Sequence, residues 1–173
     1  MIWRVNMHDE LLGDFTLVKK RHGNYYEKKY YNWLGLPIIL KFFDNVKDSN
    51  KRNLAILHEL CKNQEYWNKV MLQYLDENKE KHQLEQSKLR LLEISIMDDE
   101  EDIDFYFFYT DGESCLSVAI VGGNLKDGPT TLDGDLYYRG EEMDNFFPDL
   151  ETHKLFLGVP QFNEKGVLIG YIK

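Results

Sequence analysis

Hydrophobic and polar residues alternate with a period of two along the first quarter of the chain. Phe15 and Leu17 fall on one side of an extended backbone and Thr16 falls on the other. The tyrosine-rich segment 25–33 and the segment 38–43 continue this alternation, with glycine or proline between the segments. A period of two is typical of β-strands. The sequence therefore predicts a three-stranded antiparallel meander at this end of the chain.

The period changes to 3.6 in the next part of the chain, which predicts two helices over residues 50–63 and 65–78. A one-sided apolar stripe of this kind belongs more often to the core of a protein than to a binding surface. The apolar stripe of the second helix consists of Trp67, Val70, Met71, Tyr74 and Leu75. Of these residues, Trp67, Val70, Met71 and Leu75 are predicted to be core and not a binding surface.

Alternation returns at residues 92–96, 103–109 and 116–120, and Asp111-Gly112 between the last two segments is a strong hairpin signal. The pattern then loosens. Here the sequence predicts turns at 127–129 and 133–134, a short strand at 136–138, an acidic loop at 140–148, and closing strands at 155–157 and 167–172.

The order of strands, helices and strands predicts an α+β fold with antiparallel sheet. A length of 173 residues fits a single domain over residues 1–173. Residues 11–125 carry its main pattern, and residues 126–173 form a C-terminal extension rich in strands and loops. Hydrophobic residues make up 43% of the chain, which is enough to form a core without a metal or disulfides.

Motifs for catalysis or for metal binding are missing from the sequence. No phosphate-binding glycine loop and no nucleophile elbow is present, and His58 with Cys61 supplies only two ligands of a zinc site. Cys61 and Cys115 are interpreted as buried thiols. Asp133 and Asp135 could form an acid–base pair, but Asp-Gly-Asp is also ordinary turn chemistry, which we prefer. The sequence predicts no catalytic residue, no metal and no cofactor.

Charge is distributed unevenly along the chain, which has a net charge of −9. Residues 1–90 have a net charge of +4 and residues 91–173 have a net charge of −13. Six carboxylates lie within seven residues just before and within the aromatic segment 103–109, and acidic residues beside aromatic anchors are typical of a protein interface. The candidate partner-binding residues are Asp98, Asp99, Glu100, Glu101, Asp102, Asp104 and Tyr106.

Two alternatives stand beside this interpretation. A run of carboxylates is also typical of a solvated hairpin tip that binds nothing. The aromatic side chains of 103–109 would be buried if the helices covered one face of the sheet and the C-terminal strands covered the other.

One pattern in the chain resembles a group of bacterial families. It consists of an aromatic strand ending in Trp33-Leu34-Gly35, a helix pair, the segment 92–96, a second aromatic strand, an Asp-Gly turn and the segment 117–120. This order is similar to small uncharacterised bacterial families that include immunity-type proteins of polymorphic or contact-dependent toxin systems. The resemblance covers residues 11–125. It implies a non-enzymatic cytosolic protein that binds and neutralises a toxin domain.

The sequence is compatible with that function and adds expectations about location and partners. The first residues lack the apolar region of a signal peptide, and no apolar stretch reaches about 18 residues, so a cytoplasmic protein without membrane contact is expected. The acidic second half should repel nucleic acid and attract a basic protein. An enzyme with a pocket between helices and sheet, or a structural or regulatory homo-oligomer, are the alternatives. The oligomeric state is left open.

Overall fold

An eight-stranded sheet, whose strands are neighbours in chain order, forms the body of the fold. The computed structural model describes residues 6–20, 23–44, 49–97, 102–109, 114–123, 125, 131–138, 159–162, 164 and 168–172. The strands are β1 (Asn6–Asp9), β2 (Gly13–Lys20), β3 (Gly23–Trp33), β4 (Leu36–Phe43), β5 (Leu89–Ile96), β6 (Ile103–Tyr109), β7 (Ser114–Ile120) and β8 (Leu132–Tyr138).

Two helices connect the two halves of the sheet. The helices α1 (Ser49–Lys62) and α2 (Gln64–Glu77) lie between β4 and β5 in the chain, and both begin and end within one residue of their predicted bounds. They form the crossover that a parallel strand pair requires. β4 and β5 are accordingly parallel, whereas every other neighbouring pair in this sheet is antiparallel.

The structure therefore confirms a single α+β domain with a mostly antiparallel sheet, and it adds one parallel pair that the sequence did not indicate. The predicted meander is formed by β2, β3 and β4. β6 and β7 pair as the hairpin predicted from Asp111-Gly112, although the turn itself lies outside the described residues.

The core lies between the two helices and one face of the sheet, named here the helix face. Trp67, Met71 and Leu75 are at most 2% exposed, which confirms most of the predicted stripe, while Val70 is half-buried. Tyr74 of the same apolar stripe is buried with them. On the sheet side the fully buried residues include Phe15, Ile38, Leu40, Phe42, Ile94, Phe105, Leu116 and Val118.

The opposite face of the sheet, named here the second face, is also largely buried. Alternate residues of β6 show this directly, because Phe105 and Phe107 belong to the helix-face core while Tyr106 and Phe108 are buried on the second face. The structure therefore agrees with the alternative in which both faces of the aromatic strand are covered. Cys115, also on the second face, is a buried free thiol, and Cys61 is a free thiol of intermediate exposure.

Strand β8 corrects one prediction. The segment Asp133-Gly134, predicted to be a turn, lies inside β8 and pairs with Ala119 and Val118 of β7. Aspartate and glycine are turn formers on composition alone, but the β7 ladder holds them extended. Gly134 faces α2, where a Cβ atom on it would lie 2.5 Å from the Tyr74 hydroxyl oxygen. The glycine therefore allows α2 to pack closely on this strand.

Substitution of Gly134 by alanine is expected to lower the free energy of unfolding by about 1–3 kcal/mol, because the added methyl group forces the buried Tyr74 ring to move. Chemical denaturation measures the change. In the Tyr74→Phe background, which removes the nearest atom, the same substitution should cost less. Equal costs in the two backgrounds would contradict the close approach.

A separate two-stranded sheet lies near the C-terminus. β9 (Val159–Phe162) and β10 (Leu168–Ile172) pair antiparallel. β10 confirms the predicted closing strand, whereas β9 was not predicted. The segments 127–129, 140–148 and 155–157, for which turns, a loop and a strand were predicted, lie outside the described residues.

Candidate functional site

Four carboxylates lie at one corner of the main sheet and form a group named here the acidic patch: Asp102, Asp104, Asp133 and Asp135. Asp104 of β6 and Asp133 of β8 are both register partners of Ala119 in β7. Residues directly opposite one another in an antiparallel sheet share a face, and two strand spacings separate the Cα atoms by roughly 10 Å. Because Gly134 faces the helices, Asp133 and Asp135 lie on the second face with Asp104.

Hydrogen bonds hold two members of the acidic patch in place. The Ser117 hydroxyl donates to Asp104 Oδ1 at 3.0 Å, and the Gly122 amide donates to Asp102 Oδ1 at 2.8 Å. Gly122 has a φ of +75°, a conformation that favours glycine, so the turn after β7 presents its amide to Asp102. Asp133 and Asp135 are exposed. The patch thus combines two fixed and two solvent-facing carboxylates.

No cation accompanies these aspartates on their own strands. β6, β7 and β8 contain Asp104, Asp133 and Asp135 but neither lysine nor arginine. The influence of the exposed pair reaches Tyr74, whose pKa is raised first by burial and then by the charges of Asp133 and Asp135, against an opposing hydrogen bond from the Gly134 backbone. The strands β6, β7 and β8 therefore contribute only negative side-chain charge to this corner of the sheet.

The residues predicted from the sequence are distributed as follows. Asp102 and Asp104 belong to the acidic patch, while residues 98–101 lie outside the described residues. Tyr106 is 8% exposed, one row from Asp104 on the same face, so its ring is not available as an exposed anchor. Asp133 and Asp135 were considered only as a turn or an acid–base pair. Their spacing of two residues was the available signal that both lie on one face of a strand.

A buried ion pair lies beside the acidic patch. Lys41 Nζ is 2.9 Å from Glu93 Oε1, and the side chains are 8% and 6% exposed. The Ser95 hydroxyl donates to the same carboxylate, and Lys41 Nζ lies 4.6 Å from the centre of the Tyr25 ring. Burial lowers the pKa of Lys41, but Glu93 and the neighbouring Tyr25 outweigh it and raise the pKa overall. The pair is thus internally neutralised and leaves the charge of the patch unchanged.

A second buried carboxylate joins the first hairpin to α1. Both oxygens of Asp9 lie 2.9 Å from His58 Nε2, and the amides of Leu11 and Leu12 donate to Oδ1 at 3.0 and 2.7 Å. Burial opposes ionisation of Asp9, but these hydrogen bonds outweigh it and lower its pKa. This arrangement is a structural link between the β1–β2 turn and the helix.

His58 and Cys61 do not form a metal or nucleophile site. His58 is directed at Asp9, and burial raises the pKa of the Cys61 thiol to about 11, so the thiol is protonated at neutral pH. Among the described residues no group of three or more His, Cys, Asp and Glu side chains is arranged to hold a metal ion.

The described residues form at least two cavities that open to the surface. One is an open, polar groove of about 490 Å³ lined by Lys81, His82, Lys88 and Tyr109 among others. The other is a cavity of about 250 Å³, named here the Trp33 pocket, between α2, the β3–β4 turn and the start of β5. Its lining residues are Trp33, Leu34, Ile38, Asn68, Leu72, Leu75, Gln86, Leu89, Arg90, Leu91 and Phe107.

Comparisons with known proteins add no family assignment. The chain matches no protein-family model, no curated protein and no solved structure. Within the described residues, no helix is both long and apolar enough to cross a membrane. The functional argument therefore rests on the geometry of this chain alone.

Proposed function

We propose that this protein is a non-enzymatic, cytoplasmic protein-binding module of the immunity type, which neutralises a basic toxin domain by binding it through the acidic patch. The observation that carries the proposal is the alignment of Asp104 with Asp133 across β7, on strands that contain no lysine or arginine.

Electrostatics supports this function in two ways. Carboxylates that share one face repel one another, and a cationic partner relieves that repulsion. The negative electrostatic potential of the acidic patch also accelerates the diffusional encounter with a basic protein. A nuclease toxin, for example, has a basic groove for phosphates, which carboxylates can occupy instead.

The remaining residues of the candidate segment act in different ways. Asp98, Asp99, Glu100 and Glu101 precede Asp102 directly in the chain, and we propose that their carboxylates take part in binding the basic partner. Tyr106 is buried one row from Asp104 on the same face, and its proposed contribution is to support the strand from which Asp104 projects.

The test is a charge neutralisation that leaves shape unchanged. In the Asp133→Asn/Asp135→Asn variant the association rate with a basic toxin domain should fall about tenfold at low salt, and its salt dependence should flatten. A toxin-like gene immediately upstream of this one would supply the partner for the measurement. Stopped-flow association between about 50 and about 500 mM salt measures both quantities.

A matched control separates the patch from net charge. The Glu65→Gln/Glu80→Gln variant removes the same charge from exposed positions on and just after α2 and should leave the association rate close to that of the wild type. A third variant, in which Asp99, Glu100, Glu101 and Asp102 become Asn or Gln, tests the rest of the segment. If all three variants associate like the wild type at every salt concentration, the acidic patch is only a solvated surface.

A specific observation also favours the second candidate function, a small-molecule-processing enzyme with a pocket between helices and sheet. The Trp33 pocket occupies that position, because Leu75 of α2 and Phe107 of β6 line the same cavity. The groups on its wall determine which ligands it can accept.

A further inference from the structure

The Trp33 pocket is apolar in its interior and large enough for a small ligand. Ile38, Leu75 and Phe107 form part of its wall and are buried in the core. An apolar cavity of about 150 Å³ holds a benzene molecule. At about 250 Å³ the Trp33 pocket has room for a ligand with two fused rings or for a branched aliphatic chain of similar size.

Trp33, which lines this pocket, carries a buried hydrogen-bond donor. Trp33 is 1% exposed, and its indole Nε1 contacts no acceptor among the described residues. Buried donors are nearly always paired in folded proteins, so a donor without an acceptor calls for an explanation. An acceptor on a bound ligand would supply the missing hydrogen bond.

The other polar groups on the wall favour an acceptor with negative charge. The side-chain amides of Asn68 and Gln86 can donate hydrogen bonds. The described lining residues include no aspartate or glutamate. Because hydrogen bonds to a charged acceptor are stronger than those to a neutral one, a carboxylate is the favoured partner for these donors.

At the mouth of the pocket, Leu34 has a backbone conformation that is unfavourable for a residue with a bulky side chain. Leu34 has a φ of +50°, a region that bulky residues rarely adopt, and it is 41% exposed. Gln64 Oε1 accepts a hydrogen bond from its amide at 2.8 Å and helps to hold the turn. Leu72, on the α2 side of the pocket, is 51% exposed. Two exposed leucines at an apolar cavity are typical of a ligand entrance.

We infer that the Trp33 pocket binds a small aromatic or branched aliphatic carboxylate, with the apolar body between α2 and the sheet and the carboxylate accepting from Trp33 Nε1. This site is distinct from the acidic patch. Asp104 and Phe107 lie toward opposite ends of β6 and on opposite faces of the sheet, so the two sites can be tested independently.

Binding can be followed at the indole nitrogen itself. The chain has three tryptophans, and the Trp33→Phe variant identifies the Trp33 signal in a ¹H–¹⁵N spectrum of the full chain. The probes are 2-naphthoate and its neutral analogue naphthalene-2-carboxamide. We expect 2-naphthoate to move the Trp33 signal saturably, with a dissociation constant about tenfold lower than that of the carboxamide, because hydrogen bonds to a charged acceptor are stronger.

Two matched variants that introduce opposite charges at the pocket mouth test whether the ligand binds as an anion. Leu72→Glu and Leu72→Lys replace the same exposed side chain, so their loss of apolar contact is comparable while their charges differ in sign. The lysine variant should bind 2-naphthoate at least about tenfold more tightly than the glutamate variant. The inference is overturned if neither probe moves the Trp33 signal, if both probes bind equally, or if the two Leu72 variants have the same affinity.

Discussion

Replacing Lys41 by methionine is expected to lower the free energy of unfolding by about 3–5 kcal/mol, because it leaves the Glu93 carboxylate buried without its cation. The loss comes chiefly from desolvation, since Glu93 is only 4% exposed and water cannot take the place of the ammonium group. Urea denaturation followed by circular dichroism measures the change.

Two further variants test whether the expected loss of stability in Lys41→Met arises from burial of the Lys41–Glu93 ion pair. The same substitution at Lys79, whose side chain is 54% exposed and pairs with Asp76 at 3.3 Å, should cost less than about 1 kcal/mol. The double variant Lys41→Met/Glu93→Leu should recover most of the lost stability, because no unpaired charge remains. Similar losses for Lys41→Met and Lys79→Met would show that the Lys41–Glu93 pair is not buried as described.

Truncation of Trp67 to alanine is expected to cost about 3–5 kcal/mol. The indole is 2% exposed in the core between α2 and the sheet, so its removal loses apolar burial and leaves a cavity that the surrounding side chains fill only in part. Thermal and urea unfolding of the purified variant measure the loss.

Tyr66 offers a control at the adjacent position of the same helix. It is 52% exposed and makes an edge-to-face contact with Trp67, with ring centroids 5.1 Å apart. Tyr66→Ala should therefore cost no more than about 1.5 kcal/mol, the range of one such aromatic contact. Wild-type stability in the Trp67→Ala variant would refute the assignment of Trp67 to the core.

Local periodicity accounts for the parts of the fold that could be predicted. The stripe at Trp67, Met71 and Leu75 appears within nine residues, and the alternation in β6 appears within seven. Both patterns can therefore be recognised in the sequence without knowledge of any distant contact. Pairing between β4 and β5 is not local, because more than forty residues separate the strands. Nothing within either strand indicates that the helical connection makes them parallel neighbours.

Gly134 shows how similar local signals can arise from different causes. Asp133 and Gly134 have the sequence of an Asp-Gly turn, but here they lie in an extended strand. Glycine is needed at position 134 because a side chain would clash with the Tyr74 hydroxyl, and not because the backbone turns. The approach of Tyr74 depends on how α2 packs on β8, which is a tertiary contact. Propensity alone could not distinguish the two structures.

The acidic patch could be predicted in part from the sequence, whereas the Trp33 pocket could not be predicted at all. Charge density along the chain identified Asp102 and Asp104, whereas Asp133 joins them only through the register of β6, β7 and β8. The Trp33 pocket combines residues from positions 33 to 107, so no local pattern could have indicated it.

The parallel ladder between β4 and β5 consists of four residue pairs, from Ile39↔Glu93 to Phe42↔Ile96, and it is the seam between two antiparallel halves of the sheet. A slip of two residues along this seam would keep apolar side chains on the helix face, so hydrophobic burial alone discriminates weakly against it. The Lys41–Glu93 pair crosses the seam diagonally, because Lys41 lies opposite Ser95 and Glu93 lies opposite Ile39. A two-residue slip that moves Lys41 opposite Met97 would separate the two charges, whereas a slip in the other direction would place Lys41 directly opposite Glu93. The ion pair therefore discriminates between registers in one direction only, and hydrophobic burial has to discriminate in the other.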